Sequence, residues 1–158
     1  MPHGQGDPGG SGPDPGDPRP VGYELLEHTA DVGIRARGPT LEAAFEQTTE
    51  GLADVLGALA PGWSPGVSGP GEAVAVQVAA DDPGGLLVDW LNEVLWLTET
   101  RRAVRVERVG DGTARGSVLV SSGGQAPDGT LVKAVTYHRL RVEPDPGGGW
   151  LVEVYLDV

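Results

Sequence analysis

The chain has 158 residues and carries 23 acidic against 11 basic side chains, a formal net charge of −12. A field of this sign repels phosphate backbones, which argues against direct high-affinity binding to nucleic acid. It suits a basic protein partner, a hard cation or simple solubility. Cysteine is absent, which excludes disulfides, thiolate zinc sites and cysteine nucleophiles.

Residues 1–20 are mostly Gly, Pro and Asp, with no apolar side chain after the initial Met. Such a segment buries too little apolar surface to offset the entropy of ordering it, so we predict a disordered tail. It lacks the basic and apolar regions of a signal peptide, and no later apolar run reaches the ~20 residues of a membrane span. We therefore expect a cytoplasmic protein with one folded domain over residues 21–158.

Hydrophobic periodicity predicts the elements of the first two thirds of that domain. The segment 22–37 is predicted as two short strands, since Val32, Ile34 and Ala36 alternate with more polar positions. Two helices are predicted from apolar residues at spacings of three and four. In chain order, the remaining predictions are a Thr40 N-cap, a helix at about 41–59, a loop at 61–71, a strand at 72–79, a turn at 81–85 and a helix at 86–100.

The last third is rich in alternating apolar stretches separated by Gly, Pro and Asp. The predicted strands are residues 103–109, 116–122, 131–143 and 149–158. The last two are predicted to form an antiparallel hairpin around Pro144–Gly149. Two early helices and a late run of strands predict an α+β two-layer sandwich, with both helices packed on one face of a mixed, largely antiparallel β-sheet.

The C-terminus is a candidate metal site. An ordered final strand would hold the Asp157 carboxylate close to the terminal carboxylate of Val158, and two nearby anions repel unless a cation lies between them. Oxygen ligands of this kind suit a hard ion such as calcium or magnesium, and calcium tolerates irregular geometry better. The alternative is a frayed, solvated chain end.

The sequence HTADVG, residues 28–33, offers a third carboxylate. Asp31 has two interpretations: it hydrogen-bonds its own backbone in a turn, or it reaches the same cation as Asp157. His28 likewise is either a structural histidine or a participant in the site.

The sequence KAVTYH, residues 133–138, contains the only lysine of the chain, Lys133, beside ten arginines. Early residues of one hairpin strand oppose late residues of the other, so Lys133 is predicted to lie close to Asp157. A lysine is a compact point charge that arginine does not replace. His138, on the same segment, is a candidate to support the metal ligands without binding the ion.

These stretches, with LLVDWLNEVLWLTET at 86–100 and the ending WLVEVYLDV, occur in the order seen in the archease family, which the chain resembles over residues 22–158. The resemblance implies an activator of an RtcB-type RNA ligase, which joins RNA ends using GTP in tRNA splicing and RNA repair. It implies promotion of ligase guanylylation and of repeated turnover, and a site, typically for calcium, formed by Asp31, Asp157 and Val158. It also implies that Lys133, Asp31 and Asp157 act in activation of the partner.

Two other functions remain open from the sequence. A carboxylate-bound metal could support phosphoester hydrolysis, although no nucleophile–base pair or phosphate-binding glycine loop is found. The family resemblance also permits a chaperone-like modulator of a tRNA methyltransferase. We expect an accessory protein that is not itself an enzyme.

Overall fold

The computed structural model describes residues 20–27, 31–56, 72–97, 101–120 and 132–158. The predicted disordered tail, apart from Pro20, and the predicted loop at 61–71 lie outside these residues. The elements are β1 (Gly22–Glu27), β2 (Asp31–Gly38), α1 (Leu41–Val55), β3 (Glu72–Ala79), α2 (Pro83–Trp96), β4 (Arg101–Gly110), β5 (Thr113–Val120), β6 (Ala134–Pro144) and β7 (Trp150–Asp157).

The strands form two sheets, one of four strands in the order β1-β2-β7-β6 and one of three in the order β3-β5-β4. Each neighbouring pair is antiparallel. Both helices pack on the same face of the four-stranded sheet and also contact the three-stranded sheet. The predicted α+β class is confirmed, and the division of the strands between two sheets is a feature that the periodicity did not reveal.

Helix α1 begins where the sequence predicted. The Thr40 side chain accepts a hydrogen bond from the Ala43 N–H, which satisfies one of the free donors of the first turn. The apolar stripe is buried, with Phe45 and Leu52 fully inside the core. The regular helix ends at Val55, and residues 57–59 of the predicted helix lie outside the described residues.

Two carboxylates on the opposite face of α1 bond to the edge of a sheet. The backbone N–H groups of Val109 and Val106 donate to Glu42 at 2.9 Å and to Glu46 at 2.8 Å. Strand β4 is an edge strand, so these donors would otherwise be free to pair with another chain. Helix α1 thus protects one edge of the three-stranded sheet.

Helix α2 begins at Pro83, three residues before the predicted start, so the predicted turn at 81–85 is wrong over its last three residues. The reason is a cap: the Asp82 side chain accepts a hydrogen bond from the Gly85 N–H at 2.7 Å, and Pro83 has a fixed φ that suits the first helical position. Further along, the Asn92 amide bonds both to the N–H (3.2 Å) and to the C=O (3.5 Å) of Val135. Helix α2 thereby fixes the start of β6.

The predicted hairpin of β6 and β7 is confirmed. The Asp145 N–H donates to the Gly149 carbonyl at 2.9 Å, and Gly148 and Gly149 supply the positive φ angles of the turn. The pairing is regular at both ends of the hairpin but irregular between Thr136 and Arg141. There β6 forms a bulge of several residues.

Candidate functional site

The two predicted metal-binding aspartates lie directly opposite each other. Strand β7 pairs with β2 in a register that places Asp157 against Asp31. Cross-strand neighbours have Cβ atoms about 4.5–5.5 Å apart, close enough for both carboxylates to reach one ion. Asp31 is half-buried and Asp157 is exposed, so the pair lies at the surface, at one end of the four-stranded sheet.

Lys133 lies on the other side of Asp157. It immediately precedes β6, and its backbone N–H donates to the carbonyl of Asp157 at 2.8 Å. The next residue, Ala134, is the register partner of Asp157. The predicted proximity of Lys133 to Asp157 is therefore observed, and the Lys133 side chain is exposed to solvent.

The end of the chain is ordered against the core. Strand β7 continues to Asp157, and Val158 is half-buried and packs on the hydrophobic cluster beneath the sheet. This favours an ordered final strand over a frayed one. It also holds residue 158 next to the two aspartates.

The residues present suit a hard cation through oxygen ligands alone. Among the described residues, no group of three or more His, Cys, Asp or Glu side chains is placed to hold a metal ion. The two opposed carboxylates of Asp31 and Asp157 form a smaller set. Such a set leaves room for water ligands, which calcium and magnesium accept.

The two histidines predicted near the site have different outcomes. His28 lies outside the described residues. His138 lies in the β6 bulge, where its ring packs edge-on against Tyr155 with 6.2 Å between ring centroids. Tyr155 lies two positions before Asp157 on the same face of β7. His138 therefore packs against the side chain that is next to Asp157 on that face.

A buried ionic network on the same face of the sheet as the aspartates was not predicted. The Glu153 side chain is 8% exposed and accepts hydrogen bonds from Arg35 Nε and from the Tyr155 hydroxyl, each at 3.0 Å. Arg141 adds an ion pair at 3.6 Å. Burial raises the pKa of Glu153, but the hydrogen bonds from Arg35 and Tyr155 outweigh it and leave that pKa below its usual range. The alternation of side chains along the last strand predicts that Glu153 and Asp157 lie on the same face of the sheet. The sequence does not show which strand supplies the partners of Glu153.

The network predicts a measurable dependence of stability on pH. Because the folded-state pKa of Glu153 is lowered, its contribution is fully present above the unfolded value of about 4.3 and is lost as the pH falls through the folded-state pKa. We expect Glu153→Gln to lower the free energy of unfolding by about 1–3 kcal/mol at neutral pH. The deficit should shrink in acid, as measured by urea unfolding over a pH series.

Glu24→Gln is the matched control, because Glu24 also pairs with Arg35 but its side chain is 52% exposed. An exposed pair contributes about 0–1 kcal/mol, so this variant should unfold almost as wild type does. A deficit for Glu153→Gln that is equal at neutral and acid pH would contradict the assignment.

The described residues contain no helix long and apolar enough to cross a membrane.

The sequence model of the archease protein family matches residues 23–158. The archease of Methanosarcina mazei is 34% identical over 146 residues, which cover 86% of this chain and 95% of that protein. The archease of Thermococcus gammatolerans is 34% identical over 147 residues, which cover 86% and 98% respectively.

The fold is similar to two solved structures. The solution structure of protein 1598 from Methanobacterium thermoautotrophicum has a TM-score of 0.65 and 27% identity, covering 87% of this chain and 99% of that one. The crystal structure of an archease from Thermotoga maritima, described as a possible chaperone, has a TM-score of 0.56 and 20% identity, covering 85% and 96%. The family match includes Asp31, Lys133 and Asp157 and extends over the folded part of the molecule, so this chain belongs to the archease family.

Proposed function

We propose that this protein is a cytoplasmic accessory protein that activates an RtcB-type, GTP-dependent RNA ligase in tRNA splicing and RNA repair. It promotes guanylylation of the ligase and allows repeated turnover, and it is not itself an enzyme. The observation that supports this most is the convergence of Asp31, Asp157 and Lys133 at one end of the four-stranded sheet. Family membership supplies the partner, and the net charge of −12 suits a basic one.

Asp31, Asp157 and the terminal carboxylate of Val158 would hold calcium or another hard divalent cation. When bound, the ion supplies a fixed positive charge among these carboxylates. The protein itself contributes rigidity, since Asp31 and Asp157 lie on paired strands and Val158 is packed on the core. In this proposal, His28 and His138 are candidates to support the site from outside the ligand set, and they do not bind the ion.

Lys133 would act on the partner. Lys133 is exposed, and its backbone is fixed by the hydrogen bond that its N–H donates to the Asp157 carbonyl. A compact charge on a rigid support can contact a phosphate or carboxylate at the mouth of the ligase active site. Docking there would hold the ligase in a geometry competent for attack on GTP.

The direct test is ligase guanylylation by labelled GTP under multiple-turnover conditions, with and without this protein. We expect clear stimulation at substoichiometric amounts. Lack of stimulation would contradict the proposal and would favour a chaperone-like modulator of a tRNA methyltransferase, in line with the description of the Thermotoga relative as a possible chaperone. Metal-dependent hydrolysis by the isolated protein would contradict the non-enzymatic role.

A C-terminal extension tests the third ligand. Added residues convert the carboxylate of Val158 into an amide and place chain where the ion would bind, so we expect loss of stimulation. The same extension at the N-terminus is the control and should have no effect. Normal stimulation by the C-terminally extended protein would remove Val158 from the ligand set.

A further inference from the structure

The bulge of β6 holds an exposed tyrosine. Strand β6 has four residues, Tyr137 to Leu140, where β7 has Val154 alone. Arg139 takes a φ of +55° although it is not glycine, and such a backbone persists only where its surroundings enforce it. Tyr137 is 62% exposed, the most exposed large hydrophobic side chain in the described part of the chain.

Contacts on both faces of the sheet fix the bulge. On one face, the Arg139 guanidinium lies 5.9 Å from the centroid of the Tyr155 ring, and the His138 ring packs edge-on against the same ring. On the helix side, Leu140 lies against Gly84 at the start of α2, where an added Cβ would come within 2.8 Å of Leu140 Cδ2. The exposed Tyr137 is therefore presented from a rigid support and pays little entropy on binding.

The bulge is continuous with the site proposed above. From Lys133 to Tyr137 is four residues of extended chain, about 13 Å. The ring beneath the bulge belongs to Tyr155, two positions before Asp157. A partner that covers Asp157 and Lys133 would therefore meet Tyr137 within the same interface.

The local charge indicates the chemistry of the partner surface. Residues 133–142 contain one lysine, one histidine and two arginines but no acidic residue, in a chain with a net charge of −12. Arg141 is paired with Glu153 and Glu143, whereas Arg139 keeps its charge over the uncharged Tyr155 ring. The free positive charge is therefore sparse, and it suits single carboxylates on a partner better than a continuous phosphate backbone. Tyrosine and arginine on rigid supports are typical anchors of protein interfaces.

We infer that the β6 bulge is a second docking element, in which Tyr137 enters an apolar pocket rimmed by carboxylates on the ligase, with His138 and Arg139 at its edge. The inference rests on the proposed function for the identity of the partner. It assigns affinity to the bulge and leaves activation to Asp31, Asp157 and Lys133.

The test is direct binding of the full-length protein to immobilised ligase, alongside the guanylylation assay. We expect Tyr137→Ala to weaken the Kd about tenfold or more, with maximal stimulation unchanged at saturation. Tyr137→Phe should stay within about threefold, since the ring supplies most of the contact. Gln77→Ala, an exposed change on the three-stranded sheet, is the matched control, and thermal unfolding should be unchanged for Tyr137→Ala.

The outcomes separate the two proposals. Binding without stimulation by wild type would overturn the activator function, while the Kd of Tyr137→Ala would still decide the inference. A wild-type Kd for Tyr137→Ala would overturn the inference alone, whereas no binding of wild type to the ligase would overturn both the inference and the activator function. Binding of a labelled single-stranded RNA that is lost in Tyr137→Ala, with ligase binding unchanged, would overturn it in favour of RNA.

Discussion

Asp157→Asn is expected to lower the stimulation of the ligase by about 100-fold or more and to abolish calcium binding at micromolar concentrations. The magnitude follows from the role proposed for Asp157 as a direct ligand, since removal of groups that merely support metal ligands already costs about 10–100-fold. The amide keeps the size of the side chain and Asp157 is exposed, so the fold should be retained. Terbium luminescence and calorimetric titration with calcium measure the binding directly.

Three further variants separate the contributions of the site. Asp31→Asn should match Asp157→Asn, because the two residues are register partners. Lys133→Ala should reduce stimulation but leave calcium binding intact, since Lys133 is assigned to the partner. Asp81→Asn, an exposed aspartate before α2, is the control for loss of one negative charge. Wild-type calcium binding by Asp157→Asn would show that Asp157 is not a ligand.

Part of this site could be predicted because it depends on local pattern. The alternation of the last strand and the Gly/Pro turn at 144–149 predict a hairpin, and a hairpin places Lys133 beside Asp157 without further information. The pairing of Asp31 with Asp157 is different. It requires that β2 and β7 be neighbours in the sheet order β1-β2-β7-β6, and periodicity does not specify which distant strands pair.

The features that were missed use side chains as partners for backbone groups. Glu42 and Glu46 lie on the polar face of α1, which the 3.6-residue period predicts to face solvent. In the structure they accept hydrogen bonds from the outer edge of β4. The start of α2 was missed because the Asp-Pro-Gly-Gly composition is typical of turns, whereas Asp followed by Pro is also a strong helix start.

Gly33, in the HTADVG sequence, links the motif to the ionic network. A Cβ at this position would lie 2.6 Å from Cε2 of Tyr155 and 3.1 Å from Cβ of Leu26. The Tyr155 ring cannot easily move, because its hydroxyl bonds to Glu153 and Arg139 lies over its face. The glycine therefore permits a close approach of Tyr155 to β2. Gly33 lies two residues after Asp31, and Tyr155 lies two residues before Asp157.

Trp90→Ala is expected to cause the largest loss of stability. Trp90 is fully buried, and its indole N–H donates to the Thr49 hydroxyl at 3.0 Å, which joins α2 to α1. Truncation of a buried Trp leaves a large cavity and costs about 3–5 kcal/mol, equivalent to a fall in melting temperature of about 10–20 °C for a domain of this size. Trp90→Phe keeps much of the volume but loses the indole donor, and should cost about 1–2 kcal/mol.

The functional consequence distinguishes the core from the site. Trp90 lies in the hydrophobic core cluster, whereas Asp31, Asp157 and Lys133 meet at one end of the four-stranded sheet. Well below its melting temperature, Trp90→Ala should therefore stimulate the ligase with the half-maximal concentration of wild type and should lose stimulation only as it unfolds. Loss of stimulation by folded Trp90→Ala, shown by a wild-type circular dichroism spectrum, would mean that the site depends on the helix packing beneath it. The route would then run through Asn92, which bonds Val135 two residues from Lys133.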